Sequence, residues 1–175
     1  IESVVSQSQF PLRWVIVDDG STDNTAEIVA SFQRDHAFIH LFQQQGDALR
    51  NFGSKANAVQ AGYKSIEDCE FSFVGNLDAD ISLPTNYYES LIARFQKNEQ
   101  LGIAGGVRKD LFQAGFVPVP CASNSVGGPF QFFRRTCFEE IGGYQALRLG
   151  GIDTAAEVSA RMKGLLEAML GSCSS

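Results

Sequence analysis

Short apolar runs alternate with amphipathic stretches through the first 107 residues of this sequence. The apolar runs cover residues 13–19, 38–42, 70–78 and 101–107. Continuous apolar runs of this length are typical of strands that are buried on both faces of a sheet. The amphipathic stretches between them predict helices, and the alternation of the two predicts a doubly wound, mainly parallel, Rossmann-like α/β sheet.

Helical periodicity is clearest in two stretches. One covers about residues 54–66, and the other follows Pro84. The second stretch has an apolar stripe with helical spacing, made of Tyr88, Leu91, Ile92 and Phe95. After Arg108, prolines and glycines interrupt the pattern, which predicts a long loop or a hairpin.

Composition narrows the class of protein. A chain of 175 residues with 44% apolar residues is enough for one domain with a core. Its net charge of −6, without a cluster of lysine or arginine, argues against a nucleic-acid binder. No apolar run approaches the roughly 18 residues of a membrane-spanning helix, so no membrane segment is expected within this chain.

Four cysteines are widely spaced, without a CxxC pair. This spacing indicates neither a zinc site nor a disulfide framework. The expected location is therefore the reducing cytoplasm, or the cytoplasmic face of a membrane.

Pairs of acids follow two of the predicted strands. Asp18 and Asp19 end the first run, and Asp78 and Asp80 follow the third. Ligands of open α/β sheets bind outside the carboxyl ends of the strands, so these acids are expected at one edge. Four carboxylates at one edge repel each other unless a cation or hydrogen-bond donors compensate them. With no histidine or cysteine nearby, the sequence predicts Mg²⁺ or Mn²⁺.

Some of the acids before the first predicted helix could have only a structural role. Asp19 and Asp23 could serve only a turn and a helix N-terminus, where acceptor oxygens are favoured. A cap needs one carboxylate rather than three, so this alternative fits Asp23 better than it fits Asp18 and Asp19.

Four motifs in order carry a resemblance that covers residues 1–164: VDDGSTDNT, NLDAD, FFRRTCFEEIGGY and GGIDTAAEVSARMKG. Together they resemble the family 2 glycosyltransferases, which have the GT-A fold. The resemblance implies transfer of a sugar from a nucleotide diphospho-sugar to an acceptor, with inversion and a divalent metal. It also implies a fragment that lacks the first strand and the C-terminal end.

The resemblance implies roles for several residues. Asp80, the second acid of the Asp-x-Asp motif, would be a metal ligand, and Asp78 would contact the ribose or share the metal. Asp18 or Asp19 would hydrogen-bond the base or ribose. Lys55 would contact the nucleotide, although an ordinary solvated lysine explains it equally well.

Asp153 is the candidate general base. It is expected to open a helix whose apolar stripe is Ala155, Val158 and Met162. An acid at this position could also be only a helix N-cap or a first-turn acid. The resemblance favours a base, and it implies that Ile152, where many family members carry glutamate, affects acceptor specificity.

One glycosyltransferase domain is predicted over residues 1–175. Residues 1–107 would bind the nucleotide sugar, residues 108–164 would bind the acceptor, and residues 165–175 would be a tail. A UDP-sugar is the favoured donor, and the acceptor would be a glycan, lipid-linked or other hydroxyl. Two alternatives stay open, namely a sugar-phosphate nucleotidyltransferase and a binding module for nucleotides or carbohydrates without turnover.

Overall fold

Strands and helices alternate in the computed structural model, as the apolar pattern predicts. The structure describes residues 1–45, 52–112, 115–119, 125–147 and 149–169. The strands are β1 (Trp14–Asp19), β2 (Ile39–Gln44), β3 (Phe73–Gly75), β4 (Leu101–Gly105), β5 (Lys109–Phe112), β6 (Gly115–Pro118), β7 (Phe132–Arg134) and β8 (Leu166–Met169). The helices are α1 (Glu2–Val5), α2 (Thr25–Gln33), α3 (Phe52–Lys64), α4 (Tyr87–Lys97), α5 (Arg135–Glu140) and α6 (Ile152–Met162).

The strands of the described residues form three hydrogen-bonded sheets. β1 and β2 are parallel, with Asp18 opposite Gln43 and Asp19 opposite Gln44. The central sheet has the order β3-β7-β4-β8, in which β4 and β8 are parallel and β7 runs antiparallel to both of its neighbours. β5 and β6 form a separate hairpin, which confirms the expectation of a loop or hairpin after Arg108.

The predicted strand over residues 70–78 is wrong at both ends, because β3 covers only Phe73–Gly75. Beyond β3 the chain still pairs with the segment before β7. Asn76 N donates to the Gln131 carbonyl at 2.9 Å, and Asp78 N donates to the Pro129 carbonyl at 2.8 Å. The segment that carries Asp78 is therefore held to the sheet edge by individual backbone hydrogen bonds.

The predicted tail contains part of the central sheet. Residues 166–169 form β8, which pairs with β4 from Leu101 to Gly105. Residues 170–175 lie outside the described residues. The boundary expected at residue 165 therefore does not separate the fold from a tail.

Two apolar clusters form the core, one on each face of the central sheet. Helix α4 covers one face with its predicted stripe, of which Leu91 and Phe95 are buried. Helices α3, α5 and α6 supply the other cluster, together with Ile103 and Phe133 of the sheet. Full burial of a large apolar side chain such as Leu91 or Phe95 contributes about 1.5–3 kcal/mol to the free energy of folding.

The predicted apolar stripe of α6 is wrong. Val158 and Met162 are 43% and 84% exposed. The buried face instead carries Ile152, Ala156 and Ala160 with one acid, Glu157, which is 2% exposed. The helix is rotated relative to the apolar pattern because this face packs on the core and Glu157 has hydrogen-bond partners there.

Among the helices that the structure describes, none combines the length and the apolar character needed to cross a bilayer.

Candidate active site

The wall of the candidate site is formed where the segment after β3 pairs with the segment before β7. The backbone bonds from Asn76 and Asp78 reach Gln131 and Pro129, and the Asn76 side chain donates to the Gly128 carbonyl at 3.1 Å. Gly127 caps a 3₁₀ turn at Gly128–Phe130, which contains Pro129. This pairing places Asp78 beside a segment that lies about 50 residues later in the chain.

Asp153 lies in the first turn of α6, where the sequence placed it. The helix N-cap is Gly151, whose φ of 78° is left-handed and suits glycine. The Asp153 carboxylate makes no hydrogen bond or ion pair with any residue that the structure describes. It lies against Gly128, because a Cβ added at Gly128 would overlap the Cβ, Cγ and Oδ2 atoms of Asp153. The N-cap alternative is therefore wrong, and this first-turn acid faces the wall.

Tyr144 is a buried residue that feels the charge of three acids distant from one another in sequence or in role. Burial raises the pKa of Tyr144 well above its usual value, and the negative charges of Asp153, Asp78 and Glu157 raise it further. The Tyr144 hydroxyl donates to Gln131 Oε1 at 2.6 Å. The contacts agree with this, because Asp78 N donates to the Pro129 carbonyl and the Asp153 side chain lies against Gly128, so both acids adjoin the same wall.

Lys55 forms an ion pair with Asp78. Its Nζ atom lies 2.6 Å from Oδ1 and 2.9 Å from Oδ2 of the carboxylate. Both side chains are partly exposed, so the pair contributes no more than about 1 kcal/mol to stability. Lys55 is therefore a partly exposed lysine, as the alternative of a solvated lysine requires, and it also balances the charge of one of the predicted metal ligands.

Asp80 differs from Asp78 in its surroundings. It is exposed, and its carboxylate has no hydrogen bond or ion pair within the described ranges. Arg108 lies near both acids. The pKa of Arg108 is raised chiefly by its hydrogen bond to Asp110 and by the charge of that residue, and to a smaller extent by the charges of Asp80 and Asp78.

A metal cage made only of protein side chains is absent from the residues that the structure describes. No group of three or more histidine, cysteine, aspartate or glutamate side chains could hold an ion there. Mg²⁺ commonly binds through one or two carboxylates together with phosphate oxygens of a substrate. The exposed carboxylate of Asp80 fits that mode of binding.

Asp18 and Asp19 end β1 and accept hydrogen bonds from β2. Asp18 is 5% exposed and accepts from Ser21 N at 2.8 Å and from Gln43 Nε2 at 3.2 Å. Asp19 is half-buried and accepts from Gln44 Nε2 at 2.8 Å. In the described part of the chain, no hydrogen bond or ion pair joins either acid to Asp78, Asp80 or Asp153.

Asp23 serves the turn before a helix, as the alternative for this acid predicts. Its Oδ1 atom accepts from Thr25 N at 3.0 Å and from Thr25 Oγ1 at 2.5 Å. These hydrogen bonds lower the pKa of Asp23 and occupy its carboxylate at the start of α2. Asp23 is therefore a local turn residue.

Three buried polar residues behind the wall were missed from the sequence: Gln131, Tyr144 and Glu157. Their signal is faint, since a single polar residue within an apolar stretch has no periodicity of its own. The one usable clue is that Glu157 follows Asp153 by four residues, which places both on one side of a helix.

The sequence matches the family described as glycosyl transferase family 2 over residues 1–119. The chain belongs to this family. The match contains the Asp18-Asp19 and Asp78-Ala79-Asp80 segments, so the resemblance inferred from the motifs is confirmed. The chain is therefore a glycosyltransferase by family.

Among curated proteins, the chain is 29% identical over 161 residues to poly-beta-1,6-N-acetyl-D-glucosamine synthase of Staphylococcus epidermidis. That alignment covers 81% of this chain and 37% of the synthase. The chain thus spans a little over a third of the length of this curated relative.

Among solved structures, the chain superposes on residues 1–349 of Staphylococcus aureus TarS with a TM-score of 0.71 at 17% identity. That superposition covers 97% of this chain and 52% of the TarS chain. A mannosyltransferase from Pyrobaculum calidifontis, solved with GDP-Man and Mn²⁺, gives a TM-score of 0.70 at 17% identity and covers 96% and 48% of the two chains. The predicted GT-A fold of this family 2 chain is therefore confirmed.

The contact between Gly128 and Asp153 can be tested by a double-mutant cycle. We expect Gly128→Ala to lower the free energy of unfolding by about 1–3 kcal/mol, because the new methyl group overlaps Asp153. In an Asp153→Ala background the same change should cost at least about 0.5 kcal/mol less. Urea denaturation of the four proteins measures both values.

Gly127→Ala is the matched control for this cycle. Its methyl group would meet the Phe130 ring at 3.2 Å rather than Asp153. Its cost should therefore be equal in both backgrounds. Equal costs for Gly128→Ala as well would contradict the contact.

The environment of Asp18 predicts a pH dependence of stability. Hydrogen bonds from the Ser21 side chain and backbone, and then from Gln43, lower the pKa of Asp18 below 3.8. A lowered pKa in the folded state gives stability that is present above 3.8 and is lost as pH falls through the folded-state value.

The stability difference between the wild type and Asp18→Asn should therefore shrink between about pH 5 and pH 3, as measured by urea denaturation. Asp35→Asn, a change of an exposed acid at the end of α2, serves as the control. A difference between wild type and Asp18→Asn that does not vary with pH would show that the Asp18 carboxylate is not stabilised in this way.

Proposed function

We propose that this chain carries the donor-binding and catalytic residues of a metal-dependent, inverting glycosyltransferase. The observation that carries the proposal is the difference in partners among five acids. Asp18, Asp19 and Asp78 each accept a hydrogen bond or form an ion pair, whereas the carboxylates of Asp80 and Asp153 make neither with any described residue. A carboxylate without a protein donor keeps its oxygens available to coordinate a cation or to accept a proton.

Asp153 is proposed as the general base. Its carboxylate is not used for capping, and it faces the wall that also carries Asp78. In the proposed step the acceptor oxygen bonds to the anomeric carbon as the bond to the diphosphate breaks. Asp153 takes the hydroxyl proton, and general-base catalysis of this kind supplies roughly 10²- to 10⁴-fold in rate. One displacement leaves no covalent link between sugar and protein.

Asp80 is proposed to hold a divalent cation together with the donor diphosphate, and Asp78 to share the cation or bind the ribose. When bound, such a cation stabilises negative charge on the departing diphosphate. Within the chain itself, Lys55 offsets the charge of Asp78, so an anionic donor meets fewer uncompensated negative charges. The mannosyltransferase solved with GDP-Man and Mn²⁺ supports this kind of site.

The donor-binding half is proposed to be residues 1–107 and the acceptor-binding half residues 108–164. Asp18 or Asp19 would accept hydrogen bonds from the base or ribose of the nucleotide, and Lys55, in the first turn of α3, would also contact the nucleotide. Asp19 is the more accessible of the two acids, since Asp18 is buried and already holds two donors.

The acceptor is proposed to be a hydroxyl of a glycan or of a lipid-linked sugar. The similarity to a poly-beta-1,6-N-acetyl-D-glucosamine synthase supports a glycan, and a UDP-sugar is the proposed donor. The family match favours glycosyl transfer over nucleotidyl transfer. The cytoplasmic location stays a prediction from the cysteine pattern.

Nucleotide binding can be tested by thermal shift of the full-length protein with UDP-glucose, UDP-N-acetylglucosamine and GDP-mannose, each with and without Mn²⁺. A ligand at 100 times its Kd adds about 2.7 kcal/mol of stability. We expect Mn²⁺ to increase the shift given by one donor, and Asp80→Ala to remove that increase. Asp35→Ala, an exposed acid remote from the motifs, should keep it. If Mn²⁺ increases the thermal shift of Asp80→Ala as much as that of the wild type, Asp80 is not the metal ligand.

The base is tested by Asp153→Asn, which keeps the size of the side chain but cannot take a proton. We expect donor binding within about twofold of wild type and a rate of transfer lower by roughly 10²- to 10⁴-fold. Release of nucleoside diphosphate measures the rate, and the thermal shift measures binding. Transfer at the wild-type rate would show that Asp153 is not the base. Donor binding without turnover in the wild type would favour the binding-module alternative.

A further inference from the structure

A buried acid, Glu157, holds the loop that faces Asp153. Its Oε1 atom accepts from Val126 N at 2.7 Å, and its Oε2 atom accepts from Ser125 Oγ at 2.9 Å. Gln131 Nε2 donates to Oε1 at 3.1 Å. Three neutral donors from two segments therefore point at one carboxylate on α6.

Burial of this acid is unfavourable unless its oxygens are hydrogen-bonded. Glu157 is 2% exposed, and transfer of a carboxylate away from water without partners costs several kcal/mol. An apolar residue would fill the same space without this cost. A fully satisfied polar group instead fixes the relative positions of the segments that it joins.

The network of Glu157 continues to both sides of the wall. Gln131 is 0% exposed, and its Nε2 atom donates both to Glu157 and, at 3.4 Å, to the backbone carbonyl of Asp153. The Tyr144 hydroxyl donates to the Gln131 side chain at 2.6 Å. The Gln131 carbonyl accepts from Asn76 N, two residues before Asp78. One chain of hydrogen bonds thus connects the backbone of both candidate site segments.

Glu157 and Asp153 contact the two ends of the same loop. Glu157 binds Ser125 and Val126, while the Asp153 side chain lies against Gly128. Residues four apart lie on one side of a helix, so the two acids act on this loop from successive turns of α6. A shift at the Glu157 end would move Gly128 relative to the Asp153 carboxylate.

We propose that Glu157 is a positioning residue for the transfer reaction, which sets the distance between the 125–128 loop and the Asp153 carboxylate through its hydrogen bonds to Ser125, Val126 and Gln131. This inference rests on the proposed function of Asp153. Glu157 itself is buried behind the wall and exchanges no proton with the substrate.

A positioning role predicts different effects for Glu157→Gln and Glu157→Ala. In Glu157→Gln the amide oxygen can still accept from Val126 and Gln131, and the amide nitrogen can donate to Ser125 Oγ, which also accepts. Glu157→Ala removes every one of these bonds and leaves Val126 N and Gln131 Nε2 without that acceptor. A positioning role therefore predicts that glutamine is tolerated and alanine is not.

The experiment compares the two variants in the full-length protein, with release of nucleoside diphosphate from the three donors as the assay. Rates are divided by the folded fraction from circular dichroism. We expect Glu157→Ala to lower kcat by roughly 10- to 100-fold with KM for the donor within about twofold, since misplacement of a reacting group by 1 Å costs up to about 10²-fold. Glu157→Gln should stay within about threefold of wild type.

Two further variants keep the test decisive. Tyr144→Phe keeps the buried ring but removes its bond to Gln131, so it should lower kcat about fivefold even if Glu157→Ala does not fold. Val158→Ala changes the exposed neighbour of Glu157 and should leave kcat unchanged.

The outcomes separate this inference from the proposed base. Normal kcat in folded Glu157→Ala, or in Tyr144→Phe, would overturn the positioning role, whatever Asp153→Asn does. Loss of activity in Glu157→Gln equal to that of Glu157→Ala would also overturn it and would assign a direct role to the charge. Normal transfer in Asp153→Asn alone would show that Asp153 is not the base. The positioning role of Glu157 would then still be decided by kcat in the Glu157 variants.

Discussion

The antiparallel pairing of β7 with β3 is the constraint on which the site depends. Its register sets Val74 opposite Phe133, and the backbone bonds of Asn76 and Asp78 extend it past the end of β3. A slip of one residue would reverse the faces of every side chain in the segment. Because the register is fixed by buried aromatic residues, Asp78 and the loop before β7 meet at one edge.

The candidate acids differ in how the described residues compensate their negative charge. Asp18 and Asp19 receive glutamine side chains from β2, and Asp78 receives Lys55. These contacts reduce the repulsion that the three negative charges would otherwise cause within the fold. Asp80 and Asp153 make no such contact among the described residues, and they are the acids for which we propose cation binding and proton transfer.

Local pattern sufficed to predict β1, β2, β4, α3 and α4, since their apolar pattern is continuous over five or more residues. It did not reveal β7 or β8, which have three and four residues and exist through pairing with distant strands. The acids were found because motifs mark them. Gln131 and Glu157 were missed because their roles lie in side-chain hydrogen bonds between segments far apart in sequence.

Helix α6 shows why the apolar pattern failed at the site. Periodicity alone favoured a buried face through Val158, which would have turned Glu157 to solvent. The structure exposes Val158 and buries the acid, because three donors of the neighbouring segments need an acceptor that an apolar residue cannot supply. The buried face of this helix therefore combines three apolar residues with one hydrogen-bonded acid. The resulting rotation is also what directs Asp153, one turn earlier, at Gly128.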